Sequence, residues 1–345
     1  MKSIPLPAPK LVVIVVMSGN VLLDIAGPAD VFVTAGKILA KSPQPVGGYE
    51  VCVAAPGHIT QLPSSAGLQL MCATSVLDIR RPVDTLLIAG YNSDQEELED
   101  YTAFYQWLGV KAKEIRRIGA VCVGTFALAK AGLLNGKRAT THWEYCGQLQ
   151  ACFPEVKVDP NPFFIKDDNR YTSGGVTSGM DLALALVEED HGKDLAAQVS
   201  RKLVLYLKRP GSQASFSALL PGYAIGNAIS GQLRTWIMEH LSASIGVSDL
   251  AAQMNMSTRN FSRAFTKETG ISPAKFVEKL RVEVARKYLE DSSLSLETIA
   301  ERCGLGSVVS MRRIFDRHLH LTPGDYRRTF RTSIARDFTG DIPAS

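Results

Sequence analysis

The sequence lacks the marks of several protein classes. Its six cysteines (Cys52, Cys72, Cys122, Cys146, Cys152, Cys303) contain no CxxC pair and no metal-ligand spacing. No disulfide framework, metal site or cofactor is therefore expected, and a reducing cytoplasm is the simplest context. The apolar run Leu11-Val12-Val13-Ile14-Val15-Val16-Met17 is too short to span a bilayer, and no A-x-A cleavage site follows it. Its β-branched content predicts a buried parallel strand instead, and no membrane partner is expected. Strong net charge is also missing: the 345 residues sum to +4.

That small sum hides a division. Residues 1–208 carry 20 Lys+Arg against 21 Asp+Glu, whereas residues 223–332 carry 16 against 11. The positive excess sits in the C-terminal part, as a phosphate-binding surface requires. Hydrophobic content of 46% and charged content of 21% are ordinary for a globular chain long enough for two cores.

The first part alternates. Residues 11–17, 49–55, 85–89, 118–121 and 170–174 read as strands. Helical pattern covers 24–41 with Pro28 in its first turn, 94–116, 126–131 closed by Gly132, and 179–191. Strands alternating with helices predict an α/β fold, a flavodoxin-like parallel sheet with helices on both faces. Arg209-Pro210-Gly211-Ser212-Gln213-Ala214-Ser215 has no apolar period and predicts a linker. Beyond it all is helix, and Ile225, Ile229, Leu233, Trp236 and Leu241 form one stripe. The expected organisation is a domain over 10–208, a linker over 209–222, a helical domain over 223–332 and a tail over 333–345.

The helical domain contains a degenerate repeat. Phe261-Ser262-Arg263-Ala264-Phe265 precedes Gly270-Ile271-Ser272-Pro273, and Met311-Arg312-Arg313-Ile314-Phe315 precedes His320-Leu321-Thr322-Pro323-Gly324-Asp325-Tyr326. In the first copy Ser248 is read as the cap of a short helix, Asn255-Met256 as the turn, and Ser257 as the cap of a second helix. In the second copy Ser295, Gly304-Leu305-Gly306 and Ser307 take these places. Between the copies, Phe276, Val277, Leu280, Val284 and Tyr288 mark a long amphipathic helix opened by Ser272-Pro273. Phe261, Ala264, Phe265, Met311, Ile314 and Phe315 should pack inward, leaving Arg259, Ser262, Arg263 and Thr266, then Val308, Val309, Arg312 and Arg313, exposed. Exposed arginines suit bidentate contacts to guanine, and exposed valines suit thymine methyls.

These residues resemble the AraC/XylS family of transcription activators over about 223–332. The resemblance implies two helix-turn-helix units reading successive major-groove segments of double-stranded DNA. By position the base readers would be Arg259, Ser262 and Arg263, then Val308, Val309, Arg312 and Arg313. It also implies RNA polymerase as a partner and a place on the nucleoid.

In the first domain, Ile118 to Phe126 reads as a strand, a sharp turn at Cys122-Val123-Gly124 and a helix start. A thiol there lies beside backbone N–H groups and a helix N-terminus, which lower its pKa. Thr140-Thr141-His142-Trp143 adds an imidazole and Asp24 a carboxylate. This part looks like the ThiJ/PfpI (class I glutamine-amidotransferase-like) superfamily over roughly 10–195. The resemblance places Cys122 at the nucleophile position, His142 in the histidine motif and Asp24 at the acidic position. It departs where the enzymes carry Pro-Gly-Gly: here stands Ala89-Gly90-Tyr91, and a tyrosine there would crowd an oxyanion site.

The fusion resembles the GlxA-type subgroup of AraC regulators, in which the former enzyme fold binds an effector. The expected effector pocket comprises Asp24, Gly90, Tyr91, Cys122, Val123, His142, Trp143 and Thr177. An aromatic wall of Tyr91 and Trp143 would suit a cationic or methylated amine, and control of amino-acid or methylated-amine catabolism is implied by the resemblance. A homodimer is the common state of such folds. Two other readings use the same residues: a hydrolase or hydratase with Cys122, His142 and Asp24 as catalytic groups, or a redox sensor at Cys122.

Overall fold

The computed structural model describes residues 8–41, 47–92, 101–207, 211–216 and 229–331. Two compact units divide the chain, Met1–Arg209 and Pro210–Ser345.

The first unit is built on a seven-stranded sheet. Its strands are β1 (Lys10–Val15), β2 (Tyr49–Ala55), β5 (Thr74–Ser75), β6 (Thr85–Ile88), β7 (Arg117–Val121), β10 (Phe164–Asp167) and β11 (Arg170–Ser173). Short strands β3 (Gln61–Pro63) and β4 (Gln69–Met71) form a separate hairpin, and β8 (Arg138–Ala139) pairs with β9 (Lys157–Val158). The main sheet runs β10-β11-β7-β6-β1-β2-β5. Every pair is parallel except the edge pair β10–β11, so the expected parallel sheet holds with one antiparallel edge.

Alternation along β1 fills both faces, because successive side chains in a strand point to opposite sides. Val13 and Val15 join one core with Leu86, Ile88 and Leu108. Val12 and Ile14 join the other with Phe32, Leu87 and Leu182. Helices α1 (Leu22–Leu39), α2 (Thr102–Lys111), α3 (Gly124–Lys130), α4 (Cys146–Cys152), α5 (Thr177–His191) and α6 (Lys193–Lys202) cover these cores. The chain order reverses across β1 and β6, which leaves a crevice at their carboxyl ends, the usual ligand position in open α/β sheets. At the opposite end, buried Arg117 and Asp190 pair at 2.7 Å, with Lys10 2.9 Å from the same carboxylate.

Some boundaries differ from expectation. Helix α1 starts at Leu22, which puts Pro28 inside the helix rather than in its first turn. Proline has no N–H, so the Asp24 carbonyl loses its helical donor there. The helix expected over 94–116 is confined to Thr102–Lys111 among described residues; 93–100 lie outside them.

The second unit is helical: α7 (Ile229–Glu239), α8 (Val247–Gln253), α9 (Thr258–Thr269), α10 (Pro273–Asp291), α11 (Leu296–Arg302), α12 (Val308–Leu319) and α13 (Pro323–Phe330). Serine caps set the register. Side chains of Ser257, Ser272, Ser295 and Ser307 accept from the N–H three residues on, at 3.4, 3.4, 3.1 and 3.2 Å. Ser248 is not a cap: α8 starts at Val247 with Gly246 as its cap, and the Gly246 N–H donates to the Asp249 carboxylate at 2.7 Å. Gly270 and His320 end α9 and α12 in the left-handed region, φ 72° and 54°. Phe261, Phe265, Phe276, Met311, Phe315 and Tyr326 are fully buried in one core with Leu233 and Ile237. Each such side chain contributes about 1.5–3 kcal/mol. Ala264 and Ile314 are half-buried at its edge, and Ile225 lies outside the described residues.

Candidate effector site and nucleic-acid interface

At the carboxyl ends of β6 and β7 the chain makes two sharp approaches. Cys122 follows β7 directly at φ 57°. A non-glycine residue in that region costs of order 1–3 kcal/mol and persists where the surroundings enforce it. Here they do: the Cys122 N–H donates to Ser173 O at 3.0 Å, and its carbonyl accepts from Thr141 Oγ1 at 2.7 Å. Gly124 opens α3 against β6, and any side chain there would strike the Ile88 carbonyl.

Asp24 projects from α1 into this corner and is 0% exposed. Gly90, after β6, lies so close that a Cβ would collide with Oδ2 of Asp24 and stand 2.8 Å from Cβ of Cys122. Only glycine lets these three meet. Burial pushes the Asp24 carboxyl up to about 7. The N–H groups of Gly90 and Val176 and the Cys122 thiol face it and act against that shift. None makes a hydrogen bond of good geometry, and both carboxylate oxygens are buried without a partner. Val176, which precedes α5, is itself held at φ 49°. For a β-branched residue that is an outlier, and nothing in the sequence announced it.

The Cys122 thiol departs from expectation. Burial, then the Asp24 charge, push it up to about 12. The N–H groups of Val123 and Val176 do favour the thiolate, but α3 is one short helix of seven residues. Its influence loses to desolvation.

His142 sits on the loop after β8. Its ring lies against Gly175, where a side chain would overlap it, and its Nδ1 accepts from the Glu144 N–H at 3.4 Å. Burial lowers its pKa, against the Glu144 charge, and so favours the neutral imidazole. Trp143 and Tyr145 stand beside it, ring centroids 5.2 and 6.0 Å away. Among the described residues no hydrogen bond joins His142 to Cys122. Thr141, whose hydroxyl donates to the Cys122 carbonyl, and Gly174-Gly175, where the Gly174 carbonyl accepts from the Cys122 N–H, link them. Asp24, Gly90, Cys122 and Val123 thus form one buried corner, with His142 and Trp143 on the adjoining loop. Tyr91 is buried in the core with Val123 and Ile88. Thr177 is exposed at the start of α5. Among the described residues no group of three His, Cys, Asp or Glu side chains could hold a metal ion.

In the second unit, Arg259, Ser262, Arg263 and Thr266 share one face of α9 at helical spacing. Arg259, Arg263 and Thr266 are exposed and Ser262 is half-buried. On α12, Val309 is 63% exposed and Arg312 and Arg313 are exposed. Val308, expected beside them, is half-buried because the first helical turn leans on the fold. Two other arginines of this unit are tied down by ion pairs, Arg317 to Glu278 at 3.1 Å and Arg286 to Glu283 at 3.1 Å. Arg259, Arg263, Arg312 and Arg313 form no ion pair among the described residues. Four uncommitted guanidinium groups on two parallel-built helices are available to an anionic partner.

Comparison with known proteins gives the same division. Residues 10–189, more than half of the chain, match the DJ-1/PfpI family, and residues 250–329 match a helix-turn-helix domain. The HTH-type transcriptional regulator GbdR of Pseudomonas aeruginosa is 32% identical over 270 residues, 78% of this chain and 72% of that protein. GlxA of Rhizobium meliloti, also an HTH-type transcriptional regulator, is 27% identical over 284 residues, 81% of this chain and 85% of its own. An isonitrile hydratase of Pseudomonas putida is 32% identical over 216 residues, 58% of this chain and 91% of its own. No helix among the described residues is long and apolar enough to cross a membrane. A sheet of DJ-1/PfpI type followed by two capped helix-turn-helix units places this chain among the GlxA-like, AraC-type transcriptional regulators.

Proposed function

We propose that this regulator reads its operator with Arg259, Ser262 and Arg263 on α9 and with Val308, Val309, Arg312 and Arg313 on α12. The carrying observation is the set of four uncommitted arginines on the two helices that follow the turns. Arginine offers a planar fork to guanine, and Val309 offers a methyl surface to thymine. The protein acts as an activator, as a homodimer in contact with RNA polymerase, wherever the cell keeps its DNA.

Its effector is a small amine or amino acid held near Asp24, Gly90, Cys122, Val123, His142, Trp143 and Thr177, with Tyr91 backing the site from the core. A buried carboxylate without a hydrogen-bond partner, with aromatic side chains on the adjoining loop, supports a cationic ligand. A thermal-shift screen against amino acids, betaines and small amines tests this. A ligand should raise the melting temperature, and Trp143→Ala should abolish that rise. A rise that survives Trp143→Ala in full would remove the aromatic wall from the site.

The strained backbone at Cys122 beside Asp24 favours a second reading, covalent or redox chemistry at the thiol. The raised thiol pKa opposes it. Cys122 should alkylate with iodoacetamide at least tenfold more slowly than an exposed thiol at pH 7.5. Fast, selective labelling would restore the chemical reading.

A further inference from the structure

Residues 211–216 follow directly where the chain leaves the first unit, and their composition predicts a solvated spacer. Instead they are packed into the second unit. A 3-10 turn, Gln213–Ser215, carries them, and Ser212, Gln213 and Ser215 are each less than 5% exposed. Ser215 Oγ donates to the carbonyl of Leu319, the last residue of α12, at 2.7 Å. The Ser215 carbonyl accepts from Arg286 Nη2 on α10 at 3.1 Å, and Arg286 Nε also donates to Tyr326 Oη on α13 at 2.8 Å. Phe216 meets Phe330 edge-on, ring centroids 5.0 Å apart.

Gly211 is built for this seat. Its φ is +92°, and a Cβ there would lie 3.0 Å from the Leu321 side chain and from Ser215 Oγ. The docking also carries a penalty: Ser212 Oγ is buried with no hydrogen-bond partner. A buried orphan hydroxyl opposes the docked state, so the seat combines specific contacts with a built-in bias toward release. A passive tether needs neither.

We propose that residues 211–216 are a release strap for the second helix-turn-helix. Docked, the strap satisfies the last turn of α12 and ties it to α10 and α13, so that the second reading helix is rigid. Lifted, it leaves the Leu319 carbonyl without the Ser215 donor and removes one of the Arg286 contacts, α12 frays from its C-terminal end, and reading by α12 alone is lost. The strap lies on the route by which a signal from the first unit reaches the second. This rests on the DNA-reading function proposed above.

The test uses the full chain and duplex DNA selected from a random-sequence pool by the wild type. Failure of the wild type to select any sequence would sink the DNA reading; the strap is then judged by amide exchange alone. In Ser215→Ala and in Gly211→Ala, amides of residues 316–320 should exchange at least tenfold faster, with α9 amides unchanged. Affinity for the selected DNA should fall about tenfold, with footprint protection lost over the segment read by α12 and kept over the segment read by α9. Unchanged exchange at the end of α12 in both variants would overturn the proposal. Equal loss of protection over the segments read by α9 and by α12 would overturn it too, because the turn would then be a general support of the domain.

Discussion

Asp24→Asn should raise the melting temperature of the first unit above pH 7 and flatten its dependence on pH between 4 and 8. The Asp24 carboxyl titrates at about 7 in the folded protein, against an ordinary 3.8. A folded-state value above the unfolded one means that the neutral form is favoured by folding. The stabilising contribution is therefore complete below about pH 4 and disappears as the pH rises through 7. At about 1.4 kcal/mol per pH unit, the interval sets an upper bound near 4 kcal/mol, and relaxation of the site brings the expected gain to about 2–3 kcal/mol. Asparagine keeps the shape and carries no charge. Identical pH profiles for the two proteins would show that Asp24 is ionised at no such penalty. The opposite sign holds at the far end of the sheet. Burial acts upward on Asp190, but Lys10, Arg117, Tyr49 and Arg116 hold it well below the carboxylate range. Its contribution is lost only in acid.

Arg263→Ala and Arg313→Ala should each weaken binding to the selected DNA by roughly 1–3 kcal/mol, and relax sequence preference at one position in each half-site. The two side chains lie on separate reading helices, so the losses should add. The double variant would then bind roughly 30-fold to 2 × 10⁴-fold less tightly. A phosphate contact behaves differently: it weakens all sequences alike and lowers the salt slope by about one. Measuring affinity at two salt concentrations on selected and scrambled DNA separates the two. Unchanged affinity in both single variants would remove these residues from the interface.

Much of the second unit could be read in advance because its signals are local. Ser257, Ser272, Ser295 and Ser307 cap helices where a hydroxyl precedes an apolar period, and Gly270 and His320 stand where the chain must turn left-handed. Each is settled by atoms within a few residues. Ser248 failed because two neighbours competed for one cap, and Gly246 with Asp249 satisfied the helix end better. The strands of the first unit were legible for the same reason as the caps: β-branched runs at period two or in a solid block admit few alternatives. Pro28 misled in the other direction, since a proline usually marks a first turn and here sits within α1.

The sequence by itself determined the two kinds of fold, the repeat and the positive excess of the second part, since these depend on spacing and composition along the chain. Only the tertiary structure decided the state of the site and the packing of residues 211–216. Proximity to a helix start argued for a reactive Cys122 thiol, yet burial beside the unpartnered Asp24 carboxylate pushes it up to about 12. Polar composition argued for a free spacer at 211–216, yet Leu319, Arg286 and Phe330 bind it to the helices. Desolvation and docking depend on which distant segments close over a group, and that is settled when the chain packs, not by its neighbours in sequence.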